Sequence, residues 1–242
     1  MNFLPNSQAS AGVVVPPAAP AASPNFDRLA PLYRWMEWFS FGPCLARCRS
    51  AFLDQLGDCR RALVLGDGDG RFTAAMLRRH ATLEADAVDI SPAMLRSLER
   101  SAAPHASRLR TEICDIRRWT PAPDAPAYDL VVTHFFLDCL TTGEIRALAA
   151  RLRPALAPGS RWIVSEFAVP PGLFGRFVAR PLIALLYRAF HLLTGLAVQR
   201  LPDYRSALEG AGFTLLRERR LLHGLLVAQM WSAVSPPSRK PA

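Results

Sequence analysis

Lysine is almost missing from this chain. Lys240 is the only one in 242 residues, and the remaining Lys/Arg-type charge is all arginine. A GC-rich genome choosing arginine codons explains that bias without any functional cause. Cysteine is scarce as well. The five thiols, at Cys44, Cys48, Cys59, Cys114 and Cys139, are odd in number and include no Cys-x-x-Cys pair. This argues against a zinc ribbon or a disulfide framework, so no metal site is expected and reduced thiols of a cytoplasmic protein fit better. No uncharged apolar run comes near the roughly 18 residues that span a bilayer. No basic residue precedes the short stretch Val13–Val15, which argues against a secretory signal. Acid is missing from the C-terminal third. Residues 1–150 hold 16 basic and 16 acidic side chains, whereas residues 151–242 hold 13 basic and 4 acidic ones. The whole net charge of +9 therefore falls in the last 92 residues. Such a surface suits a peripheral contact with an anionic membrane, or an acidic substrate. Nucleic acid is not expected as a partner, because no basic stripe interleaved with aromatics is present.

Half of the residues are apolar, enough for a sizeable core in one large domain with additions. Residues 1–24 are Ala, Pro, Ser and Val without a period, and they are expected as a disordered tail, as are residues 235–242. Between them, residues 25–234 read as a single domain of alternating strands and helices. Phe26–Leu56 reads as two helices broken near Gly42-Pro43. Arg61–Leu65, Ala85–Ile90, Arg110–Ile113, Tyr128–Phe135 and Arg161–Ala168 read as five strands. Phe72–His80 has helical spacing, and Ser91-Pro92 opens a second helix with a cap and a first-turn proline. Gly143–Leu156 reads as a helix closed by Pro158-Gly159, and Pro202–Ala211 as a last helix. Phe213–Leu222 and Leu225–Val234 flank His223-Gly224 as an antiparallel hairpin. Strands separated by helices imply parallel pairing. The fold class expected is α/β: a Rossmann-like, doubly wound sheet of about seven strands. It is mostly parallel, with a C-terminal antiparallel hairpin and an N-terminal helical cap.

The sharpest motif is Leu65-Gly66-Asp67-Gly68-Asp69-Gly70, where a buried strand runs into three alternating glycines and then a helix. Such a bend lets the backbone take positive φ and lets a ligand approach the main chain, while the helix offers unpaired N–H groups. A dinucleotide loop wants Gly-x-Gly-x-x-Gly. Counted from Gly66 the third glycine position is Arg71, and counted from Gly68 it is Thr73, so that spacing fails. Asp89 ends the next strand, 19 residues beyond Gly70. A carboxylate there can accept from both hydroxyls of a ribose. Cys114-Asp115-Ile116 follows the third strand, where Asp115 can meet an adenine amino group or simply shape the loop.

With these pieces the chain resembles the class I S-adenosylmethionine-dependent methyltransferase superfamily, in its ubiquinone/menaquinone-biosynthesis-like branch. The matching segments are Leu65–Gly70, Val88–Leu95, Cys114–Ile116 and Tyr128–Leu140, with Phe26–Tyr33 similar to the branch's N-terminal helix. The resemblance implies S-adenosyl-L-methionine as cofactor, Gly66, Gly68 and Gly70 along its methionine part, Asp89 on the ribose, and Asp115 and Ile116 around the adenine. Tyr33 would lie near the methionine end, with Asp67, Ile90, Met94 and His134 completing the cofactor set. One position departs from the pattern. Val64 stands where the family carries an acid two residues before the first glycine, so Asp67, Asp69 or backbone carbonyls are expected to take the amino group.

Methyl transfer from a sulfonium is an in-line displacement that mainly needs alignment, and a base only where the acceptor loses a proton. The candidates follow the fourth strand. His134 suits proton removal near neutral pH, or it merely packs beside the cofactor. Asp138 orients His134 or the substrate, or caps the next helix. Glu166 either faces the site or is a solvated strand-end carboxylate. Pro171–Arg200 is apolar with Arg176, Arg180, Arg188 and His191 along one helical edge, and Pro181 is expected to split it. It reads as a lid over 170–200, or as an ordinary packed helix. The function expected is methyl transfer to a small, hydrophobic acceptor; the rival reading is a non-catalytic binding module for the cofactor or an acidic partner.

Overall fold

The computed structural model describes residues 41, 43–194, 198 and 200–233. Seven strands form one sheet: β1 (Arg61–Leu65), β2 (Glu84–Asp89), β3 (Leu109–Ile113), β4 (Tyr128–His134), β5 (Leu156–Phe167), β6 (Phe213–Leu221) and β7 (Leu226–Ala233). Their spatial order is β3-β2-β1-β4-β5-β7-β6. The first five pair in parallel, and β7 runs antiparallel to both β5 and β6. The expected architecture of a mostly parallel sheet closed by an antiparallel hairpin is what forms.

Burial explains the order. Leu63, Val64 and Leu65 of β1 and Val131 and Val132 of β4 are enclosed on both faces, as central parallel strands must be. β6 carries Arg217, Glu218, Arg219 and Arg220, a charged run that suits an edge. Alternate side chains serve opposite faces. Ala62, Val64, Leu130, Val132 and Ile163 pack beneath α1 (Pro43–Arg49) and α2 (Arg71–Arg79), together with Leu98 of α3 (Pro92–Ser101). Leu63, Leu65, Val131, Trp162 and Trp231 pack beneath α4 (Thr142–Leu152) and α6 (Tyr204–Gly210). The chain turns back between β1 and β4, so their carboxyl ends frame the crevice where such sheets take ligands.

Local signals set the helix starts. Ser91 Oγ accepts the Met94 N–H at 3.2 Å, with Pro92 in the first turn. Thr141 and Glu144 form a reciprocal capping box on α4. Three expectations are corrected. The helix expected to reach Leu156 stops at Leu152, because Pro154 has no N–H and its ring crowds the preceding turn. Pro158-Gly159 therefore lies within β5, beside an irregular register between Tyr128↔Leu156 and Leu130↔Arg161. The last helix starts at Tyr204, two residues late, where Asp203 Oδ1 accepts the Ser206 N–H at 3.0 Å.

Pro181 does not split its helix. A π-helical turn, Gly175–Ala179, runs straight into α5 (Arg180–Thr194). Widening the turn just before a proline moves aside the carbonyl its ring would strike. Of the N-terminal cap, the described part is α1 with the 3₁₀ turn Ser50–Gln55. Residues 1–24, residues 235–242, Tyr33 and the helix expected from Phe26 lie outside the described residues. Among the described residues no helix is long and apolar enough to cross a membrane.

Candidate active site

The three glycines after β1 all take positive φ: 65° at Gly66, 63° at Gly68 and 76° at Gly70. Two of them are also sterically closed to any other residue. A Cβ on Gly66 would lie 2.1 Å from Cδ2 of Phe136, and one on Gly70 would lie 2.4 Å from Cα of Leu98. The bend is therefore clamped between the turn after β4 and helix α3. Within it, Asp67 is buried. Its Oδ2 accepts the Thr73 N–H at 2.9 Å and the Thr73 hydroxyl at 2.7 Å, capping α2. Its Oδ1 is buried with no partner. Burial pushes the Asp67 carboxyl up to about 6, against the two Thr73 hydrogen bonds. Asp69 is turned away, to Arg71 at 2.8 Å.

Asp89 ends β2 beside this bend, where the Gly66 N–H donates to Val88 O at 3.1 Å. Asp89 Oδ1 accepts the Ser91 N–H at 2.8 Å, so it shares the capping of α3 with Ser91. Its charge reaches the Cys139 thiol on the far side of the crevice. That thiol is pushed well up by burial first, then by Asp138, Glu166 and Asp89. Ile90 is half-buried and Met94 buried. Asp115 has both oxygens on Arg117, accepting its N–H at 3.0 Å and its guanidinium at 3.2 Å, which is the loop-shaping role. Ile116 is buried in the same core cluster as Trp119 and Leu137.

His134 is buried at 3% exposure, with its ring edge-on to Phe72 at 4.3 Å and neither ring nitrogen hydrogen-bonded. Burial, then the nearby Arg49 charge, hold its pKa well below the usual value, so the ring is neutral. The structure does not join it to Asp138. The Asp138 carboxyl approaches the Cys139 thiol at 3.5 Å, and its burial raises its pKa to about 6.

Glu166 differs most from expectation. It is fully buried instead of solvated. Its Oε1 accepts the N–H groups of Phe136 and Leu137 at 3.0 and 2.8 Å, and its Oε2 is buried without a partner. Burial and the Asp138 charge raise its pKa well above the carboxylate range, opposed by those N–H bonds. Glu166 thus holds the turn that carries Phe136 onto Gly66. Sequence reasoning missed this coupling and the buried Arg49, whose guanidinium sits 5.2 Å from the Phe135 ring. The one local signal was an acid just after the apolar run Trp162–Val164. Tyr187 of α5 reaches the same turn, its hydroxyl donating to Asp138 O at 3.3 Å. Beyond β5, a cavity of about 320 Å³ opens between Phe167–Pro171, Tyr204 and the β6–β7 pair.

A family model described as a methyltransferase domain matches residues 62–159. A trans-aconitate 2-methyltransferase of Delftia acidovorans is 36% identical over 104 residues, 43% of this chain and 37% of that protein. The chain thus spans well under half the length of that curated relative. An O-methyltransferase family protein from Burkholderia thailandensis superposes with a TM-score of 0.62 at 17% identity, over 88% of this chain and 65% of that one. The N-methyltransferase NodS from Bradyrhizobium japonicum WM9, in complex with S-adenosyl-L-homocysteine, does so with a TM-score of 0.55 at 14% identity, over 78% and 84%. The sheet order, the glycine bend and this domain match converge: residues 62–159 carry a methyltransferase domain, within the fold that these solved methyltransferase structures share.

Proposed function

We propose that the protein transfers a methyl group from S-adenosyl-L-methionine to a small, largely apolar acceptor, as a member of the ubiquinone/menaquinone-biosynthesis-like branch. The observation that carries this reading is the clamped bend with its orphaned acceptor. Gly66, Gly68 and Gly70 hold the bend at positive φ, and Asp67 Oδ1 lies buried within it with nothing to accept from. A cationic amino group satisfies such an oxygen, and this supplies the acid that Val64 lacks. Asp89 would take the ribose hydroxyls. Ile90 and Met94 would pack beside the cofactor, and Asp115 and Ile116 would border the adenine, with Asp115 sharing its oxygens with Arg117. Tyr33 would close the methionine end.

The bound cofactor supplies an electrophilic methyl on a sulfonium. The chain's own residues hold and exclude. Glu166 keeps the turn after β4 in place, Phe136 shuts one wall of the bend, and the apolar surroundings keep water from the reacting centre. His134 serves as packing against Phe72, since a neutral ring with two unmet nitrogens and no orienting partner is poorly placed as a base. Asp138, with its pKa raised to about 6 beside the acceptor end, is the better candidate to orient an acceptor proton. The basic C-terminal third would face an anionic membrane.

The relative named for trans-aconitate makes a carboxylate one acceptor class to try first. Titrating the protein with S-adenosyl-L-homocysteine, then assaying methyl loss from S-adenosyl-L-methionine with apolar alcohols, amines and carboxylic acids, tests the reading. Binding with turnover is expected. Binding without turnover on any class would favour the non-catalytic module, and no binding would end both.

A further inference from the structure

One stretch of the surface is built unlike the rest. Among the described residues nine large apolar side chains are exposed, and five of them fall on 173–192: Leu173 at 76%, Phe177 at 64%, Val178 at 47%, Leu185 at 64% and Leu192 at 82%. Single exposed apolar residues are ordinary, but a cluster on one helical run marks an interaction site. The opposite face of the run is conventionally packed. Ala179, Ile183 and Tyr187 are buried with Leu225. The exposed face has internal order. At about 100° per residue, Arg180, His191, Ala184 and Arg188 fall within about 80° of one another, and Pro181, Leu192 and Leu185 occupy the next 40° or so. A basic edge therefore runs alongside an apolar strip. No acidic residue occurs anywhere between Glu166 and Asp203.

This pattern selects its occupant. A second copy of the chain meeting the face about a two-fold axis would set Arg176, Arg180 and Arg188 beside their own equivalents, with no acid on the segment to pair them. An anionic bilayer offers both what the strip needs and what the edge needs: acyl chains for the leucines and headgroup charge for the arginines. The same helix reaches the candidate active site from its other side, through the Tyr187 hydroxyl on Asp138 O.

We propose that the helical run 173–192 docks the protein on an anionic lipid surface, with Leu185 and Leu192 in the interface and Arg180 and Arg188 on the headgroups, so that a lipid-phase acceptor arrives beneath α5. The docking stands on exposure and charge alone; the arrival of an acceptor rests on the methyl-transfer reading.

The test is sedimentation of the full-length chain with vesicles of phosphatidylcholine alone or with a third phosphatidylglycerol. Wild type should pellet with the anionic vesicles and leave them at high salt. Leu185→Gln with Leu192→Gln, and separately Arg180→Gln with Arg188→Gln, should each weaken binding about 10-fold or more, at roughly fivefold per arginine. All these side chains are exposed, so circular dichroism should be unchanged in both variants. Equal recovery on both vesicle types, variants that pellet like wild type, or a dimer in light scattering that the leucine variant dissolves while vesicles capture nothing would each overturn the proposal. S-adenosyl-L-homocysteine titrated into the same samples separates the two readings. Vesicle binding without cofactor binding leaves this surface standing and removes the methyl-transfer reading, and the reverse outcome does the opposite.

Discussion

The outer edge of the sheet and its centre treat their polar groups differently. At the β6–β7 edge they are knitted together. Glu218 binds Arg205, Arg220 at 2.6 Å and Gln229 at 2.6 Å, and Gln229 in turn accepts the Trp231 indole N–H at 3.0 Å. At the crevice between β1 and β4 the opposite holds. Of the seven buried side-chain atoms without a partner among the described residues, four sit there: Asp67 Oδ1, both nitrogens of His134 and Glu166 Oε2. An unmet buried polar atom costs about 1–3 kcal/mol. A sheet that pairs such groups at its edge and leaves them open at its centre has its free acceptors and donors where a ligand could meet them. The unsaturated crevice is where the proposed cofactor would find its partners.

The sharpest way to break that contrast is to fill the crevice. Gly66→Ala keeps the chain nearly identical yet places a methyl 2.1 Å from the Phe136 ring, at a φ of 65°. Left-handed strain and overpacking together should cost about 3 kcal/mol. S-adenosyl-L-homocysteine binding by calorimetry should be lost, whereas Gly143→Ala, where a Cβ meets nothing within 4 Å, should leave it intact. Retained binding in Gly66→Ala would mean that the bend is not where the ligand sits.

Asp67 sharpens the contrast through pH. Its carboxyl is raised from 3.8 to about 6 by burial, so the folded state holds a proton that the unfolded chain releases. The native state is therefore favoured at low pH, and that advantage, on the order of 3 kcal/mol, is lost as pH rises from about 4 to about 6. Asp67→Asn should flatten that slope in denaturant titrations. A cationic amino group bound at Oδ1 would expel the proton, so cofactor affinity should rise through pH 6 in wild type and stay flat in Asp67→Asn. A wild-type affinity without that rise would separate Asp67 from the ligand.

Much of this arrangement is legible in the sequence. β1 can be read to the residue because a continuous apolar run ending at glycine has few alternatives, and Ser91-Pro92 marks the start of α3 in the same way. The features that escape are long-range. Glu166 reads as a strand-end carboxylate, and nothing local says that two N–H groups about 30 residues upstream will meet it. The Asp67 cap on Thr73 hides behind its glycine neighbours. Pro154 is a local signal that the reading to Leu156 passed over, whereas the same rule applied to Pro181 fails because a π-helical turn precedes it. Exposure on α5 is invisible for another reason: periodicity separates two faces of a helix but does not say that both will be apolar in part.

On the saturated edge, Gln229→Leu removes the acceptor of Trp231 and one donor to Glu218 without changing volume much. Stability should fall by about 2 kcal/mol in thermal denaturation, because a buried indole N–H is left unmet. Cofactor binding should stay within about twofold, since Gln229 lies two strands from β4. A comparable drop in cofactor affinity would show that the edge of the sheet and its central crevice are not independent.

His134 should give the smallest effect and the most instructive one. Phe fills a similar volume and can keep the edge-on contact with Phe72, while removing two nitrogens that nothing satisfies. His134→Phe should change stability by less than about 1 kcal/mol at neutral pH. The sign of its pH dependence is fixed by the depressed pKa. The folded state refuses a proton that the unfolded imidazole accepts, so wild type loses stability as pH falls below the ordinary value of 6.5, and the variant should not. If the ring only packs, the pH dependence of kcat should be the same in both proteins. Should the variant instead lose turnover together with an ionisation near neutrality, the imidazole is the base after all, and the bound acceptor must supply the hydrogen bond that its nitrogens lack.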